Sequence, residues 1–222
     1  NIDSLVSQGC NLIVTVGFAL SAATLAAAEA NPDIEFALID DAADADFNGT
    51  PDFDNTKPIV FNTAQAAFLV GYAAASYSKS GIVATWGGMN FPTVTIFMDG
   101  FAQGVAYYNS ENGTAVQVLG YDPASPATAT AQNFIDQGAD ILLPVGGPIY
   151  QSAVAAITDS GKDIALIGVD ADLFETDPST QDIIFTSILK GIKSATSAVV
   201  ADAAAGNFSN EAYVGTLEND GV

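Results

Sequence analysis

The stretches IVATWGG at residues 82–88 and ILLPVGG at residues 141–147 share one design, a short apolar run that ends in two glycines. Continuous apolar runs of this length are typical of strands buried on both faces of a parallel sheet. Glycines that follow such a strand let the chain turn tightly and let a ligand approach the backbone closely. The two stretches therefore predict an α/β fold with a candidate binding edge at the carboxyl ends of its strands.

The same alternation of strand-like and helical segments extends outward from these stretches through most of the chain. With 81–86 and 140–145, the strand-like runs are residues 11–16, 35–39, 58–61, 115–119, 163–169 and 182–187. Alanine-rich helical candidates lie between them at residues 19–30, 64–77, 94–108, 127–137, 149–160 and 190–205. This order predicts parallel sheets with helices on their faces.

The charge of the chain narrows its function. Twenty-six acidic residues stand against five lysines, and the sequence contains no arginine and no histidine. Nucleic acids and phosphorylated ligands need a basic surface and are disfavoured. Without histidine, the Ser-His-Asp, Cys-His and His-zinc designs are excluded. We expect a neutral or cationic small-molecule ligand, no catalytic residue, no cofactor and no metal.

The long loop at residues 40–57 is acidic and rich in Asn, Gly and Pro, and we interpret it as a solvated surface excursion. Its carboxylates invite a calcium site, but their spacing does not match the EF-hand. Adventitious calcium binding is the alternative that stays open.

The residues that follow the predicted strands are expected to meet along one edge, because carboxyl ends of parallel strands lie together. They are Gly17, Phe18, Asp40, Asp41, Asn62, Trp86, Gly87, Gly88, Gly146, Gly147, Asp170, Ala171, Asp172 and Ser187. Tight turn geometry accounts for the glycine pairs as well as ligand contact does. For Trp86, core packing is favoured over stacking on a ligand ring.

Asp170 and Lys190 carry the clearest chemistry at this edge. A carboxylate can accept hydrogen bonds from both hydroxyls of a vicinal diol, which a sugar ring offers. Helix capping is the alternative for Asp170 and the favoured role for Asp172. Lys190 begins the final predicted helix, whose dipole disfavours a positive charge there. A partner for Lys190 is therefore expected, either Asp170, Asp172 or an electronegative ligand atom.

Several motifs together resemble one known family. They are QGCNLIVTVGF at residues 8–18, WGGMNFPTVTIFMDGF at 86–101 with Gly104, DQGAD at 136–140, GVDAD at 168–172 and TSILK at 186–190. In this order they look like the basic membrane protein family, the purine nucleoside receptor type of substrate-binding lipoprotein that serves ABC importers. The resemblance covers nearly the whole chain.

The resemblance implies a type I periplasmic-binding-protein fold, with two Rossmann-like lobes that contain parallel sheets and are joined by a hinge. Residues 1–79 and 190–222 would form lobe one, incomplete in this chain, and residues 80–189 lobe two. Carried over by motif, Asp170 and Lys190 would hold the ribose hydroxyls. The cleft would also be lined by Gly17, Trp86, Gly87, Gly146 and Asp172.

The function implied is that of an extracytoplasmic binding protein, periplasmic or at the cell surface and anchored by an N-terminal lipid absent from this chain. Its ligand would be a purine nucleoside such as adenosine, guanosine or inosine, held by hinge closure, and its partner an ABC transporter permease. The first alternative is a binding protein or sensor for another small ligand such as a sugar. The second is a nucleoside-processing enzyme on the same fold.

Three features of the family have no match in this sequence. One is the last strand and hinge return, into which relatives are expected to continue beyond residues 218–222. The first strand and helix units of lobe one, which contribute to the family's site, are not found, so the chain is expected to be N-terminally truncated. The phenylalanine expected to stack on the base is also missing from residues 121–131, where Tyr121 is the nearest substitute.

Overall fold

The computed structural model describes residues 2–121 and 130–222 as strands, helices and connecting loops. The strands are β1 (Leu12–Val16), β2 (Glu35–Ile39), β3 (Thr56–Phe61), β4 (Ile82–Gly87), β5 (Gln117–Leu119), β6 (Ile141–Val145), β7 (Ala165–Asp170), β8 (Ile184–Leu189) and β9 (Tyr213–Gly215). The helices are α1 (Ile2–Ser7), α2 (Ser21–Ala30), α3 (Thr63–Tyr77), α4 (Pro92–Asn112), α5 (Ala131–Asp136), α6 (Tyr150–Ser160), α7 (Leu173–Thr176) and α8 (Ile192–Ala204).

All the predicted strands and helices are present, with ends that differ by a few residues. Residues 127–129 of the helix predicted at 127–137 lie outside the described residues. The short elements α1, α7 and β9 were not predicted from the sequence. Within the described residues the strands pair in parallel, in one sheet of order β1-β2-β3-β9 and a second of order β5-β4-β6-β7-β8. The predicted α/β class with parallel sheets is confirmed.

The chain divides into two compact units, each built on one of these sheets. The first comprises Asn1–Phe61 and Gly191–Gly221, and the second Asn62–Lys190 with Val222. This division differs from the predicted lobes at α3, Lys190 and Val222, all of which belong to the second unit and not to the first. For α3 the physical reason is its packing on α4. Gly71 and Gly104 leave no room for a side chain, so that the two helix backbones touch.

The core of the first unit forms where α2 and α8 pack on the sheet. Ile13 on β1 and Phe36 on β2 lie on the same face of the sheet. There they pack against Ala27 and Ala28 of α2. Helix α8 lies against β1 and β2. Buried apolar side chains on adjacent strands thus fix the register of the sheet, because a shift by one residue would turn them to the other face.

The core of the second unit has two layers, one on each face of its sheet. Val83 and Leu143 face α3 and α4, where Phe97, Met98 and Phe101 complete the layer. On the other face, strand residues pack with Phe134, Ile135 and Ile157 of α5 and α6. Burial on both faces explains why these strands appear as continuous apolar runs in the sequence.

Candidate functional site

The glycine pairs where β4 and β6 end, at residues 87–88 and 146–147, are neighbours in space. Strands β4 and β6 pair so that Gly87 lies beside Val145, and the Gly88 N–H donates to the Val145 carbonyl over 2.9 Å. Gly146 has a φ of 138°, and a Cβ there would lie 3.2 Å from the Gly88 nitrogen. The carboxyl ends of β4 and β6 therefore meet at one edge of the second unit, as predicted.

Packing explains why glycine is needed at Gly87. The residue is buried, and a Cβ there would lie 2.7 Å from Cγ1 of Val94 at the start of α4. Gly17, in the first unit, differs from it. At a φ of 94°, the place of a Cβ at Gly17 is open space. Packing explains Gly87, and the positive φ of the turn explains both Gly146 and Gly17, although Gly17 also leaves its backbone open to close approach. Ligand contact by all three stays a prediction.

Trp86 is a core residue. The residue is 5% exposed, and its ring lies 5.2 Å from the ring of Phe134, centroid to centroid. Its neighbours include Leu142 on β6 and Ala131 on α5. The structure therefore gives Trp86 the packing role that the sequence favoured, although one side of it borders a surface cleft that Gly88 and Ile149 also line.

Asp170 and Lys190 form an ion pair at the same edge of the second sheet. Asp170 is the last residue of β7, and Lys190 directly follows β8. Their backbones are joined, because the Lys190 N–H donates to the Asp170 carbonyl over 3.0 Å. Their side chains meet as well, with Nζ of Lys190 2.9 Å from Oδ1 of Asp170. Of the three partners predicted for Lys190, the structure provides Asp170.

The pair is buried on the lysine side and open on the aspartate side. The Lys190 side chain is 5% exposed, whereas that of Asp170 is 38% exposed. Oδ1 of Asp170 is itself buried, and its contact with Nζ is an ion pair outside hydrogen-bond angles. The exposed surface of Asp170 therefore belongs to Cβ, Cγ and Oδ2. The carboxylate keeps an open oxygen at the edge.

Asp170 is also held in a backbone conformation that L-residues seldom adopt. Its φ is 71°, in the left-handed region, which for non-glycine residues is uncommon and costs about 1–3 kcal/mol. Such conformations cluster at functional sites, because the surrounding structure must hold them in place. Four other non-glycine residues among those described share this region of φ, so the conformation alone does not assign a role. Asp172, not Asp170, caps α7, and contact of Asp170 with ligand stays a prediction.

A phenylalanine that the sequence analysis did not single out lies beneath the lysine. Nζ of Lys190 is 5.2 Å from the centroid of the Phe97 ring, a distance at which a cation is attracted to the ring face. Phe97 is 1% exposed and otherwise part of the core. No sequence signal separated it from its core neighbours, because it occupies an ordinary apolar position of α4.

Asp172 caps a helix. Its carboxylate accepts a hydrogen bond from the Phe174 N–H over 3.0 Å at the start of α7. This is the role the sequence favoured, and a contact of Asp172 with ligand stays a prediction. Nearby, the Tyr150 hydroxyl donates to Asp177 over 2.9 Å. That bond raises the pKa of Tyr150, and donation from Ser179 and Tyr150 lowers the pKa of Asp177.

Tyr121 is tied into the protein by its hydroxyl. It donates to Asp99 of α4 over 2.7 Å, and its ring packs against the core layer that contains Phe97. Base stacking by Tyr121 stays a prediction. The residues next to it in the stretch predicted for this role, 122–129, lie outside the described residues.

The acidic loop brings three carboxylates together. Oxygen atoms of Asp44, Asp46 and Asp52 lie within 4.8 Å of one another. Backbone N–H groups of the same loop already donate to all three, for example Gly49 to Asp44 over 2.7 Å. These bonds account for the loop's shape without an ion, in agreement with its interpretation as a surface excursion.

Each of the two α/β units contains a parallel sheet, and the strand ends carry an ion pair and glycine turns. This is the architecture of a type I periplasmic-binding protein. The family model for the PnrA-like substrate-binding proteins of ABC transporters, Bmp, matches residues 1–222. The chain belongs to this family, as the motifs of the sequence indicated.

Relatives with curated names agree with this membership. Basic membrane protein A of Borreliella burgdorferi is 28% identical over 193 residues, which cover 86% of this chain and 55% of that protein. The ABC transporter nucleoside-binding protein BmpA of Lactococcus lactis is 28% identical over 179 residues, or 78% of this chain and 49% of that protein. The chain thus spans about half the length of these relatives.

Solved structures share the fold. An ABC transporter solute-binding protein from Aeropyrum pernix superposes with a TM-score of 0.77 at 26% identity, over 99% of this chain and 62% of that one. A LacI-family transcriptional regulator from Enterococcus faecium with bound ribose has a TM-score of 0.62 at 13% identity, over 95% of this chain and 78% of that one. At such low identity the second likeness shows the fold alone.

Proposed function

We propose that this chain is part of an extracytoplasmic substrate-binding protein of an ABC importer and that its ligand is a purine nucleoside. The observation that carries the proposal is the ion pair of Asp170 and Lys190 at the carboxyl edge of the second sheet, buried at the lysine and open at the aspartate. The nucleoside's ribose would lie against this pair.

The charges of the pair favour a neutral hydroxyl-bearing group. Because Lys190 is already neutralised by Asp170 at 2.9 Å, an added anion would face the Asp170 carboxylate without a free positive charge to offset it. A vicinal diol suits the pair better, since its hydroxyls can donate to Oδ2 of Asp170 and its oxygens can accept from an ammonium. Ribose of a nucleoside offers this diol.

The choice of a nucleoside over a free sugar rests on family membership. The Lactococcus lactis relative is named a nucleoside-binding protein. The apolar body of a base would need a contact surface beyond the ion pair, and Gly17, Gly87 and Gly146 are the proposed backbone contacts. Closure of the protein around the nucleoside, predicted from the resemblance, is part of this proposal.

The proposal also covers the location of the protein and its binding partners. The expected partner is the permease of an ABC transporter, and nucleic acid is not expected at a chain with a formal charge of −21. No helix within residues 2–121 and 130–222 is long and apolar enough to cross a bilayer. Attachment to the membrane by an N-terminal lipid, periplasmic or at the cell surface, is proposed from the family.

Isothermal titration with adenosine, guanosine, inosine and ribose, followed by analysis of the mixture for free base, tests this function. We expect a dissociation constant of about 1 μM or lower, or about −8 kcal/mol, for at least one purine nucleoside. Ribose should bind far more weakly, and no base should be released. Binding of ribose with no nucleoside bound would favour the sugar-binding alternative, and release of base would favour the nucleoside-processing enzyme.

A sensor role is the second candidate, because LacI-family regulators share the fold. Fold does not decide ligand or output. A titration cannot separate a sensor from a transport receptor, so a second experiment is needed. Copurification of the intact protein with its permease from membranes would support transport, and its absence from such complexes would favour a sensor.

A further inference from the structure

We infer that Phe97 is a positioning residue for the ligand site, acting through Lys190. The ring of Phe97 lies under the ammonium of Lys190, 5.2 Å from centroid to Nζ, while Asp170 holds the same ammonium at 2.9 Å. This role adds a residue to the proposed function. Its expected effect on ligand affinity rests on that function, whereas the contact between Phe97 and Lys190 does not.

The ammonium of Lys190 needs this support because it is buried. Its side chain is 5% exposed, and a charge removed from water is stable only with close compensating groups. One carboxylate oxygen neutralises the charge. The negative face of an aromatic ring, on a second element, adds an attraction that depends on the cation's position over the ring. The carboxylate and the ring together fix where the lysine presents its donors.

Phe97 is well placed to act as a rigid support. It belongs to α4, a helix of 21 residues, and is 1% exposed within the core layer of α3 and α4. A side chain packed in this way has little rotamer freedom. Because Lys190 has four rotatable side-chain bonds, a fixed ring reduces the entropy lost when a ligand must find the ammonium in one place.

Phe101 offers a matched control. It lies one helical turn further along α4, is 0% exposed and belongs to the same core layer. Leucine in place of either phenylalanine removes a ring and leaves an apolar side chain in the core. Phe97→Leu also removes the ring face under Lys190, whereas Phe101→Leu is expected to leave the lysine contact in place.

The first measurement needs no ligand. The chain has five lysines, so the ε-methylene signals of a lysine-labelled sample can be assigned by single substitutions. We expect the Lys190 signal to be displaced by the ring current of Phe97, to move in Phe97→Leu and to stay in Phe101→Leu. An unchanged Lys190 signal in Phe97→Leu would overturn the positioning role.

The second measurement is nucleoside titration of the same variants, with thermal unfolding to confirm that both are folded. We expect Phe97→Leu to weaken nucleoside binding by about three- to thirtyfold, the range of a cation–π interaction, and Phe101→Leu to change it less than about twofold. Equal affinities in the two variants would overturn the role. If the unmodified protein binds no nucleoside, the proposed function fails, and the Lys190 signals alone decide whether Phe97 positions the ammonium.

Discussion

Two of the five lysines have ammonium groups drawn into the protein, Lys57 as a buried residue and Lys190 by its buried side chain, and their surroundings differ. Lys57 on β3 is 9% exposed, and its ammonium donates to the carbonyls of Ser209 and Glu211 over 3.2 and 2.6 Å. It also lies 3.4 Å from the Ser209 hydroxyl. Lys190 after β8 faces a carboxylate whose side chain is 38% exposed.

The difference separates a structural lysine from a site lysine. The partners of Lys57 are neutral, lie in one short segment and match the three donors of an ammonium. They fasten that segment beside β3, where β9 pairs next. Lys190 is paired with a carboxylate, Asp170, which carries a charge and keeps an oxygen open. A buried cation with closed neutral partners stabilises the fold, and one with a half-open anionic partner can serve a ligand.

Replacement of Lys57 should have the largest effect on stability. Lys57→Met keeps the length of the side chain but leaves the carbonyls of Ser209 and Glu211 without a donor. We expect the free energy of unfolding to fall by about 2–4 kcal/mol, as measured by urea titration. Lys193→Met, at an exposed lysine of α8, is the control and should change it by less than about 0.5 kcal/mol. Equal stability of the two variants would contradict the structural role of Lys57.

Replacement of Lys190 should weaken nucleoside binding, whereas replacement of Lys57 should mainly lower stability. In Lys190→Met, Oδ2 of Asp170 can still be hydrated but the buried Oδ1 loses its ammonium, so the loss of stability should be about 1–3 kcal/mol. Nucleoside binding should weaken by about ten- to a hundredfold, because a charged hydrogen-bond donor to the ligand is lost. Titration calorimetry with the same Lys193→Met control measures this. A large stability loss with unchanged affinity would make Lys190 a second structural lysine.

Salt should sharpen the same contrast. A formal charge of −21 implies self-repulsion, which salt screens, so the urea midpoint of the unmodified protein should rise between about 0.1 and 1 M NaCl. Lys57→Met also removes one positive charge, so the charge-dependent part of its difference from the unmodified protein should shrink with salt, whereas the part due to hydrogen bonds with neutral groups should remain. Complete loss of the difference in about 1 M NaCl would mean that the charge, and not the hydrogen bonds, explains the effect.

The smallest of the predicted effects is a dependence of stability on pH, due to Asp177 at the same edge as Lys190. Because its folded-state pKa is lowered, Asp177 adds stability that is fully present above its ordinary pKa of about 3.9 and is lost as the pH falls through the lowered value. Asp177→Asn should therefore unfold at a slightly lower temperature than the unmodified protein at pH 6. The two should converge near pH 2. A difference that persists there would have a cause other than this carboxylate.

The sequence could predict the strands because burial on both faces makes them continuous apolar runs. It could not predict β9, a strand of three residues whose position depends on the distant contact of Lys57 with Ser209 and Glu211. The compact units differ from the predicted lobes at α3, because the packing of Gly71 and Gly104 against a neighbouring helix leaves no signal in a pattern of apolar residues.

Part of the candidate site was predictable from the same pattern of apolar strands. Asp170 and Lys190 are polar residues at the ends of apolar strands, and fold geometry brings such positions together. Phe97 was not predictable, since a ring that supports a lysine looks the same in sequence as one that fills a core. Trp86 was correctly given to the core by burial preference.

The most direct test of the account compares Asp170→Asn with Asp182→Asn in nucleoside titrations. Asn keeps the shape of the side chain and removes the charge, and the exposed Asp182 precedes β8 at the opposite edge of the same sheet. We predict that Asp170→Asn weakens binding of the preferred nucleoside by at least about tenfold, because hydroxyls lose a charged acceptor. Asp182→Asn should bind as the unmodified protein does. Equal affinity of all three proteins would contradict the assignment of the ligand to the Asp170–Lys190 pair.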